Sequence, residues 1–261
     1  MFGIFAFVMG LVIGSFLNVC IYRLPRGESI IAPGSRCPRC GKRLGWFELI
    51  PVLSYLIQKG RCRGCREKIS IQYPLVELLT GLNAIMAFNF YFFQSILLAV
   101  LFFIIGCLLI YIGAVDFNTF EISTLSIIFL LVLKAVFEVL RLKQPGALQI
   151  MGLFMGSVYS ALLVFMIYFI TRERAMGLGD VLLLLAGGFG FSFGKAILCN
   201  MLSFISAAIY GIIYIAATHK LEGKDSVKKA IPFGPFISLG IYLTMVFGER
   251  ILELYKTYMI G

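Results

Sequence analysis

Long apolar stretches separated by short polar ones run along the whole 261-residue chain. Most stretches hold about 20 residues, enough for a helix rising about 1.5 Å per residue to cross a hydrocarbon core about 30 Å thick. We count eight, at residues 2–22, 74–93, 95–115, 122–140, 148–170, 181–193, 195–217 and 233–252. The pattern predicts an all-α polytopic membrane protein with about eight transmembrane helices.

Composition supports this class, since 60% of the residues are hydrophobic, against roughly 45–50% in ordinary soluble domains. The first stretch lacks a basic start and a small-residue cleavage site, so we interpret it as a retained span rather than a secretory signal. The net charge of +10 suits anionic lipid headgroups as well as nucleic acid. In so apolar a chain we expect membrane lipid as the partner and no nucleic acid.

The distribution of basic residues predicts the orientation. With the N-terminus outside, the inner loops at 23–73, 171–180 and 218–232 carry 17 of the 23 Lys and Arg residues. The positive-inside rule therefore favours outer N- and C-termini. Lys134 and Glu138 are four residues apart near the outer end of the fourth stretch, where we expect a structural ion pair that extends outward to the interface.

The one sizeable extramembrane segment, residues 23–73, contains two CxxC pairs separated by 21 residues. Cys37, Cys40, Cys62 and Cys65 supply four thiolates, a donor set typical of tetrahedral, structural zinc. Such a metal would stabilise a small loop domain with little core of its own. The alternatives are two disulfides or free thiols, but disulfides need an oxidising compartment, and the 11 basic residues of this loop favour the cytoplasmic face.

Two of the three aspartates lie at the ends of apolar stretches, Asp116 after the third and Asp180 before the sixth. Two crossings separate them, so both would face the cytoplasm. Neighbouring carboxylates can share a proton and act together as base and acid, which suits peptide hydrolysis without a metal. The third aspartate, Asp225, is followed by lysines and is expected to be solvated.

Other interpretations of these residues stay open. Asp180 could simply cap a helix N-terminus, although Asp116 would then oppose the dipole of its own helix. A Ser–His–Asp or Cys–His catalyst would depend on His219, the single histidine. An ion pathway through a transporter would also use intramembrane aspartates.

Taken together, these features resemble a known family, the bifunctional type IV prepilin peptidases, which are leader peptidases and N-methyltransferases. The resemblance rests on both CxxC pairs, the aspartate at 116, and these segments: GSFLNVCIYRLPRG at 14–27, WFELIPVLSYLIQKGRCRGC at 46–65, YPLVELLTG at 73–81, GLGD at 177–180 and IPFGPFISLG at 231–240.

The resemblance implies removal of a short basic leader from prepilins or pseudopilins at the cytoplasmic face of a bacterial inner membrane. It also implies methylation of the new amino terminus from S-adenosylmethionine. Asp116 and Asp180 match the family's catalytic pair, and the four cysteines match its zinc ligands. The expected parts are a first transmembrane helix at 1–22, a zinc loop with the methyltransferase role at 23–73, and a peptidase bundle at 74–261. Residues for the methyl donor, and the oligomeric state, are left undefined.

Two departures from the family pattern bear on the site. Ser123 stands where the family commonly has proline, and Leu182 where a lysine is often found. Glu77, just inside the second stretch, either holds an amine of the substrate or donor or pairs with a loop arginine. The nearest alternative function is a GxGD intramembrane protease without methyltransferase activity.

Overall fold

The computed structural model describes residues 2–142, 146–173, 176–222 and 231–259. Within these ranges the chain forms nine α-helices and no β-strand, with only two isolated bridges. The helices are α1 (Phe2–Arg23), α2 (Leu53–Ile57), α3 (Gln72–Ala87), α4 (Ile96–Thr119), α5 (Thr124–Arg141), α6 (Ala147–Thr171), α7 (Leu178–Gly187), α8 (Phe193–Glu222) and α9 (Gly234–Met259). Short 3-10 turns cover Leu24–Arg26 and Trp46–Leu49, and a π-helical turn, Phe88–Phe92, extends α3. The all-α prediction is confirmed.

Six of these helices are long and apolar enough to cross a membrane: α1, α3 with its π turn, α4, α6, α8 and α9. The predicted count of eight spans is not confirmed. α5 is apolar at most positions but carries three charged residues, Lys134, Glu138 and Arg141. α7 has only 10 residues, or about 15 Å of helix, which is half of a hydrocarbon core. The chain is thus a multi-pass membrane protein with six candidate spans among its described residues. α5 has 18 residues, the length of a short span, but three of them are charged, and α7 is shorter than all six.

The chain divides into two compact units, Met1–Val115 and Asp116–Gly261. In the first unit α1 packs closely against α3. A Cβ added at Gly10 would lie 2.7 Å from the carbonyl oxygen of Thr80, and one at Gly14 would lie 2.8 Å from the Cα of Glu77. The GxxxG spacing therefore lets the two backbones approach, as is common between helices in membranes.

In the second unit the short helix α7 packs against α5, α6 and α9. Its residues are mostly buried, and glycines at its C-terminal end make the closest approaches. A Cβ at Gly187 would overlap Ile241 of α9, and one at Gly188 would overlap Ser160 of α6. The small residues of the Gly187–Gly190 segment thus serve helix packing, as such residues commonly do in membranes.

The ion pair predicted on α5 exists, but its predicted outward extension is wrong. The Lys134 ammonium lies 3.1 Å from Glu138 Oε1, and the Lys134 side chain is 0% exposed. Arg141 contacts the other Glu138 oxygen at 3.0 Å. Lys134 therefore lies inside the unit, next to the ring of Phe191, and its charge is balanced there rather than at the interface.

Candidate active site and metal centre

Asp116 lies three residues before the end of α4, and the residue is only 5% exposed. Its Oδ2 accepts a 2.9 Å hydrogen bond from the backbone N–H of Gly234, the first residue of α9. The unpaired N–H groups at a helix N-terminus carry partial positive charge. The N-terminus of α9 thus compensates for the unfavourable position of this carboxylate at the C-terminal end of α4.

Asp180 lies in the first turn of α7 and is 9% exposed. Its Oδ2 accepts a 3.2 Å hydrogen bond from the N–H of Gly177, and its own N–H donates to the Gly177 carbonyl at 3.2 Å. Gly177 is the N-cap residue of α7, and Asp180, three residues later, bonds back to its N–H as the acidic residue of a capping box does. This contact agrees with the capping interpretation. Capping uses one carboxylate oxygen, so it does not exclude chemistry at the other.

The two aspartates line one open cavity of ≈ 430 Å³. Three segments complete its wall. They are Phe120, Glu121 and Ile122 after α4, Glu173, Met176, Gly177 and Gly179 before and at the start of α7, and Ile231, Pro232 and Phe233 before α9. The carboxylates of Asp116 and Asp180 are close enough for the charge of one to act on the other. The expected meeting of these two residues is thus found in the fold, although they are 64 positions apart in the chain.

The cavity wall is acidic. Glu121 and Glu173 add two carboxylates to the aspartates, and no lysine or arginine is among the described residues that line it. The Tyr168 hydroxyl donates a 2.6 Å hydrogen bond to Glu173. A cavity with four acidic side chains attracts cations and basic peptide segments. Sequence reasoning missed these two glutamates, although both lie within seven residues of a candidate aspartate.

This arrangement can perform acid–base chemistry. Each aspartate is anchored through Oδ2, which leaves its other oxygen for a water molecule or a substrate. Two nearby carboxylates do not both ionise readily, so they tend to share one proton and titrate as a pair. One can then accept a proton from water while the other donates a proton to the substrate.

Gly234 was not recognised as part of the site from sequence. A Cβ at this position would lie 2.6 Å from Asp116 Oδ2 and 2.9 Å from its Cγ. Only glycine therefore allows the carboxylate to reach the start of α9. The signal in the sequence is the Pro-Phe-Gly-Pro segment at 232–235, which marks a helix start but not its distant partner.

The two departures from the family pattern leave the cavity intact. Ser123 is in an extended conformation at the residue preceding α5, a position that serine favours. Ile122 lines the cavity and packs near Gly179. Leu182 is half-buried on α7 and is not part of the described wall. Asp225 lies outside the described residues, as does the side chain of His219.

The four cysteines of the 23–73 loop form one cluster, in which all Sγ atoms lie within 4.8 Å of one another. The Sγ atoms of Cys37 and Cys65 are 3.9 Å apart, too far for a disulfide, whose sulfurs are about 2.05 Å apart. Tetrahedral Zn–S bonds of about 2.3 Å imply S···S distances of about 3.8 Å. All four thiols are free, and their separation fits a metal site with four cysteine ligands.

The two CxxC pairs adopt the same turn. The Cys37 N–H donates to the Lys42 carbonyl and the Cys62 N–H to the Glu67 carbonyl, both at 2.9 Å. The residue after each second cysteine has a positive φ, 70° at Gly41 and 59° at Arg66. The cluster is therefore built from two matching half-sites.

Glu48, in the same loop, is held by two donors. The Gly45 N–H and the Lys42 ammonium hold the pKa of Glu48 below its ordinary value.

Glu77 does not pair with an arginine among the described residues, and its binding of a substrate or donor amine stays a prediction. Its buried carboxylate accepts a 2.7 Å hydrogen bond from the backbone N–H of Val52. Val52 has φ 61° and ψ −50°, a strained conformation for a β-branched residue. Glu77 thus satisfies the amide of a strained loop residue, and the same carboxylate interacts with the Ser15 side chain.

Comparison with known proteins agrees with this architecture. Residues 8–91 match the model of the bacterial peptidase A24 N-terminal domain, and residues 103–212 match that of the type IV leader peptidase family. No solved structure matches significantly.

Three relatives named prepilin leader peptidase/N-methyltransferase illustrate the similarity. The protein of Myxococcus xanthus is 61% identical over 82 residues, covering 31% of this chain and 24% of the relative. The protein of Dichelobacter nodosus is 34% identical over 96% of this chain and 93% of its own length. The protein of Bacillus subtilis is 34% identical over 98% of both chains. With two domain matches and relatives aligned almost from end to end, this chain belongs to the type IV leader peptidase family.

Proposed function

We propose that this protein removes the leader of prepilins or pseudopilins and methylates the amino terminus that cleavage exposes. The names of the full-length relatives support both activities. The observation that carries the peptidase assignment is the cavity shared by Asp116 and Asp180, each anchored by a backbone N–H at a helix start.

In the proposed cleavage, the paired aspartates act on a peptide bond in the cavity. One carboxylate accepts a proton from a water molecule, which then attacks the scissile carbonyl carbon. The protonated partner donates its proton to the carbonyl oxygen, which gives a tetrahedral diol. The first carboxylate then passes the proton that it took from water to the leaving amine as the C–N bond breaks, and the partner recovers its proton from a diol hydroxyl. The helix-start hydrogen bonds orient the two groups, and the proton shared by the pair permits both roles.

The acidic wall supports a basic leader as the substrate segment. Glu121 and Glu173 place negative charge around the dyad, and such a field raises the local concentration of a cationic peptide. The lysine- and arginine-rich loop at 23–73 has the opposite charge, so we assign leader attraction to the cavity rather than to that loop.

Cys37, Cys40, Cys62 and Cys65 would hold one zinc ion through four thiolates. Bound zinc would supply folding energy to the loop, with no open coordination position for chemistry. We assign the methyltransferase role to this 23–73 loop and the peptidase role to the bundle at 74–261. S-adenosylmethionine is the proposed methyl donor, in line with the methyltransferase names of the relatives.

The proposed location is a bacterial inner membrane with the N-terminus outside. The inner loops of this orientation hold 17 of 23 basic residues, as the positive-inside rule requires. The cavity and the cysteine loop would then both face the cytoplasm, where thiols stay reduced and available to zinc.

The direct test incubates the purified protein in detergent with a prepilin and a radiolabelled methyl donor. We expect a shortened product that carries the label at its new amino terminus. Cleavage without label would leave a GxGD protease that lacks methyltransferase activity. Failure to cleave a prepilin that a characterised relative processes under the same conditions would overturn the proposal.

A further inference from the structure

The 23–73 loop presents a set of exposed apolar side chains that its own fold does not cover. Trp46 and Phe47 begin the Trp46–Leu49 turn, are 71% and 57% exposed, and stack on each other with ring centroids 3.4 Å apart. Glu48 follows them, yet its side chain is held inward by Lys42 at 3.0 Å and the Gly45 N–H at 3.0 Å. The turn thus has its charged residue inside and its aromatic rings outside.

The neighbouring helix α2 has the same inverted arrangement. Leu53, Leu56 and Ile57 are exposed, and their i, i+3, i+4 spacing places them on one helix face. The polar residues Ser54 and Gln58 are less exposed than these three. A small loop in water would bury the leucines and expose the serine and glutamine. We refer to Trp46, Phe47, Leu53, Leu56 and Ile57 as the apolar loop face.

We propose that the apolar loop face inserts into the headgroup region of an anionic lipid bilayer. The bilayer is necessarily near, because the loop continues at both ends into candidate spans, α1 and α3. The loop carries 11 basic and three acidic residues, and such a surplus attracts anionic lipid. Exposed tryptophan and phenylalanine in a basic loop are the composition expected of an interfacial segment.

This surface has a role separate from catalysis. Insertion of the face would fix the depth and tilt of the metal-binding loop on the membrane, independently of the two aspartates. It would also place part of the positive charge of the loop against lipid phosphates. Insertion of this face into lipid can therefore be measured independently of cleavage and methylation.

The chain itself supplies the probe, since Trp46 is its single tryptophan. The full-length protein is reconstituted into phosphatidylcholine vesicles with and without phosphatidylglycerol, and Trp46 emission is recorded with lipids brominated at successive acyl positions. We expect blue-shifted emission and loss of intensity with lipids brominated near the headgroup. The effect should be larger with phosphatidylglycerol, and Leu56→Gln/Ile57→Gln should reduce it.

A second probe position makes the result specific. In a Trp46→Phe background, Arg39→Trp places the probe at a residue of the same loop that is highly exposed and paired only weakly with Glu67. Emission from position 39 should be quenched by iodide and not by brominated lipid. Equal lipid quenching at 39 and 46 would overturn the assignment of this face. So would iodide quenching of Trp46, or a Trp46 shielded from both quenchers, which would indicate a protein partner instead.

Discussion

The backbone N–H of Gly234 and the Oδ2 of Asp116 are 2.9 Å apart and join two segments separated by 118 residues. This contact sets the direction of one carboxylate of the proposed catalytic pair. It also explains the glycine, because a Cβ there would lie 2.6 Å from that oxygen. The geometry of Asp116 therefore depends on a residue without a side chain.

Gly234→Ala should impair cleavage while the protein still folds. The added methyl group would displace the Asp116 carboxylate, and misplacement of a catalytic group by about 1 Å can cost about 100-fold in rate. We expect a fall of this order in kcat for prepilin cleavage. Gly152→Ala is the matched control, since a Cβ at Gly152 meets nothing within 4 Å. Equal rates for the two variants would show that the Asp116–Gly234 contact does not orient the carboxylate.

Asp116→Asn and Asp180→Asn should each reduce cleavage by about 10²- to 10⁴-fold, the usual contribution of a general acid or base. The amide oxygen of asparagine can also accept a hydrogen bond, so Asp180→Asn can keep the contact with the Gly177 N–H. The substitution therefore separates capping from chemistry. Both variants should melt close to the parent in detergent. Near-normal cleavage by Asp180→Asn would show that Asp180 has only a structural role and would contradict catalysis by an aspartate pair.

Replacement of Cys62 and Cys65 by serine should remove the metal and abolish methylation, while cleavage falls less. We expect the parent to contain about one zinc per chain and the variant none, with a changed Trp46 emission that reports an unfolded loop. Asp180→Asn should in turn still methylate a substrate supplied already cleaved. A cysteine variant that is inserted but cleaves as poorly as the aspartate variant would place the loop in the peptidase site.

Glu138→Gln should destabilise the second unit strongly. It leaves the fully buried Lys134 without its counter-charge, and breaking a buried pair in this way costs about 3–5 kcal/mol. The double variant Lys134→Met/Glu138→Met should recover most of that loss, because unbranched methionines fill the space without charge. Thermal unfolding in detergent measures both. A double variant as unstable as the single one would contradict the argument.

Glu121→Gln and Glu173→Gln should weaken leader binding without removing a catalytic group. Exposed charge pairs are worth about 0.5–1 kcal/mol, which corresponds to about a two- to fivefold rise in KM for each variant. kcat should change little, and the effect should shrink at high salt. A substrate with its leader lysines changed to glutamine should lose the difference between parent and variants. A persistent difference with that substrate would indicate a role other than charge attraction.

Helices were predictable where apolar length is a local property of the chain. The six candidate spans coincide with predicted stretches to within a few residues. The stretch at 181–193 failed as a span because α7 stops at Gly187, where packing against α6 and α9 requires glycine. The prediction that Lys134 extends outward to the interface was wrong because its burial depends on contacts with other segments. Its burial depends on Phe191 and on α5 residues facing inward, which spacing on one helix does not reveal.

The residues of the site also fall into those that local sequence predicts and those that it does not. The CxxC spacing and the positions of Asp116 and Asp180 relative to apolar stretches are local, and both clusters were predictable as groups. The anchor at Gly234 and the glutamates of the cavity wall depend on contacts between distant segments. Glu77 carried a recognisable signal as a buried acid, but its partner is a backbone amide, which leaves no trace in side-chain identity.

The matching turns of the cysteine cluster carry a consequence for metal exchange. Each turn closes through its own backbone hydrogen bonds. Each CxxC turn should therefore keep its conformation, with both cysteines in place, after a chelator removes the metal. A new ion would first bind the two thiolates of one turn, and the other turn would then close on it and supply the remaining two. Arg66 has the left-handed conformation that Gly41 has in the first turn. Substitution of Arg66 by glycine should therefore favour closure of the Cys62–Cys65 turn on the metal, because glycine adopts a positive φ without steric cost.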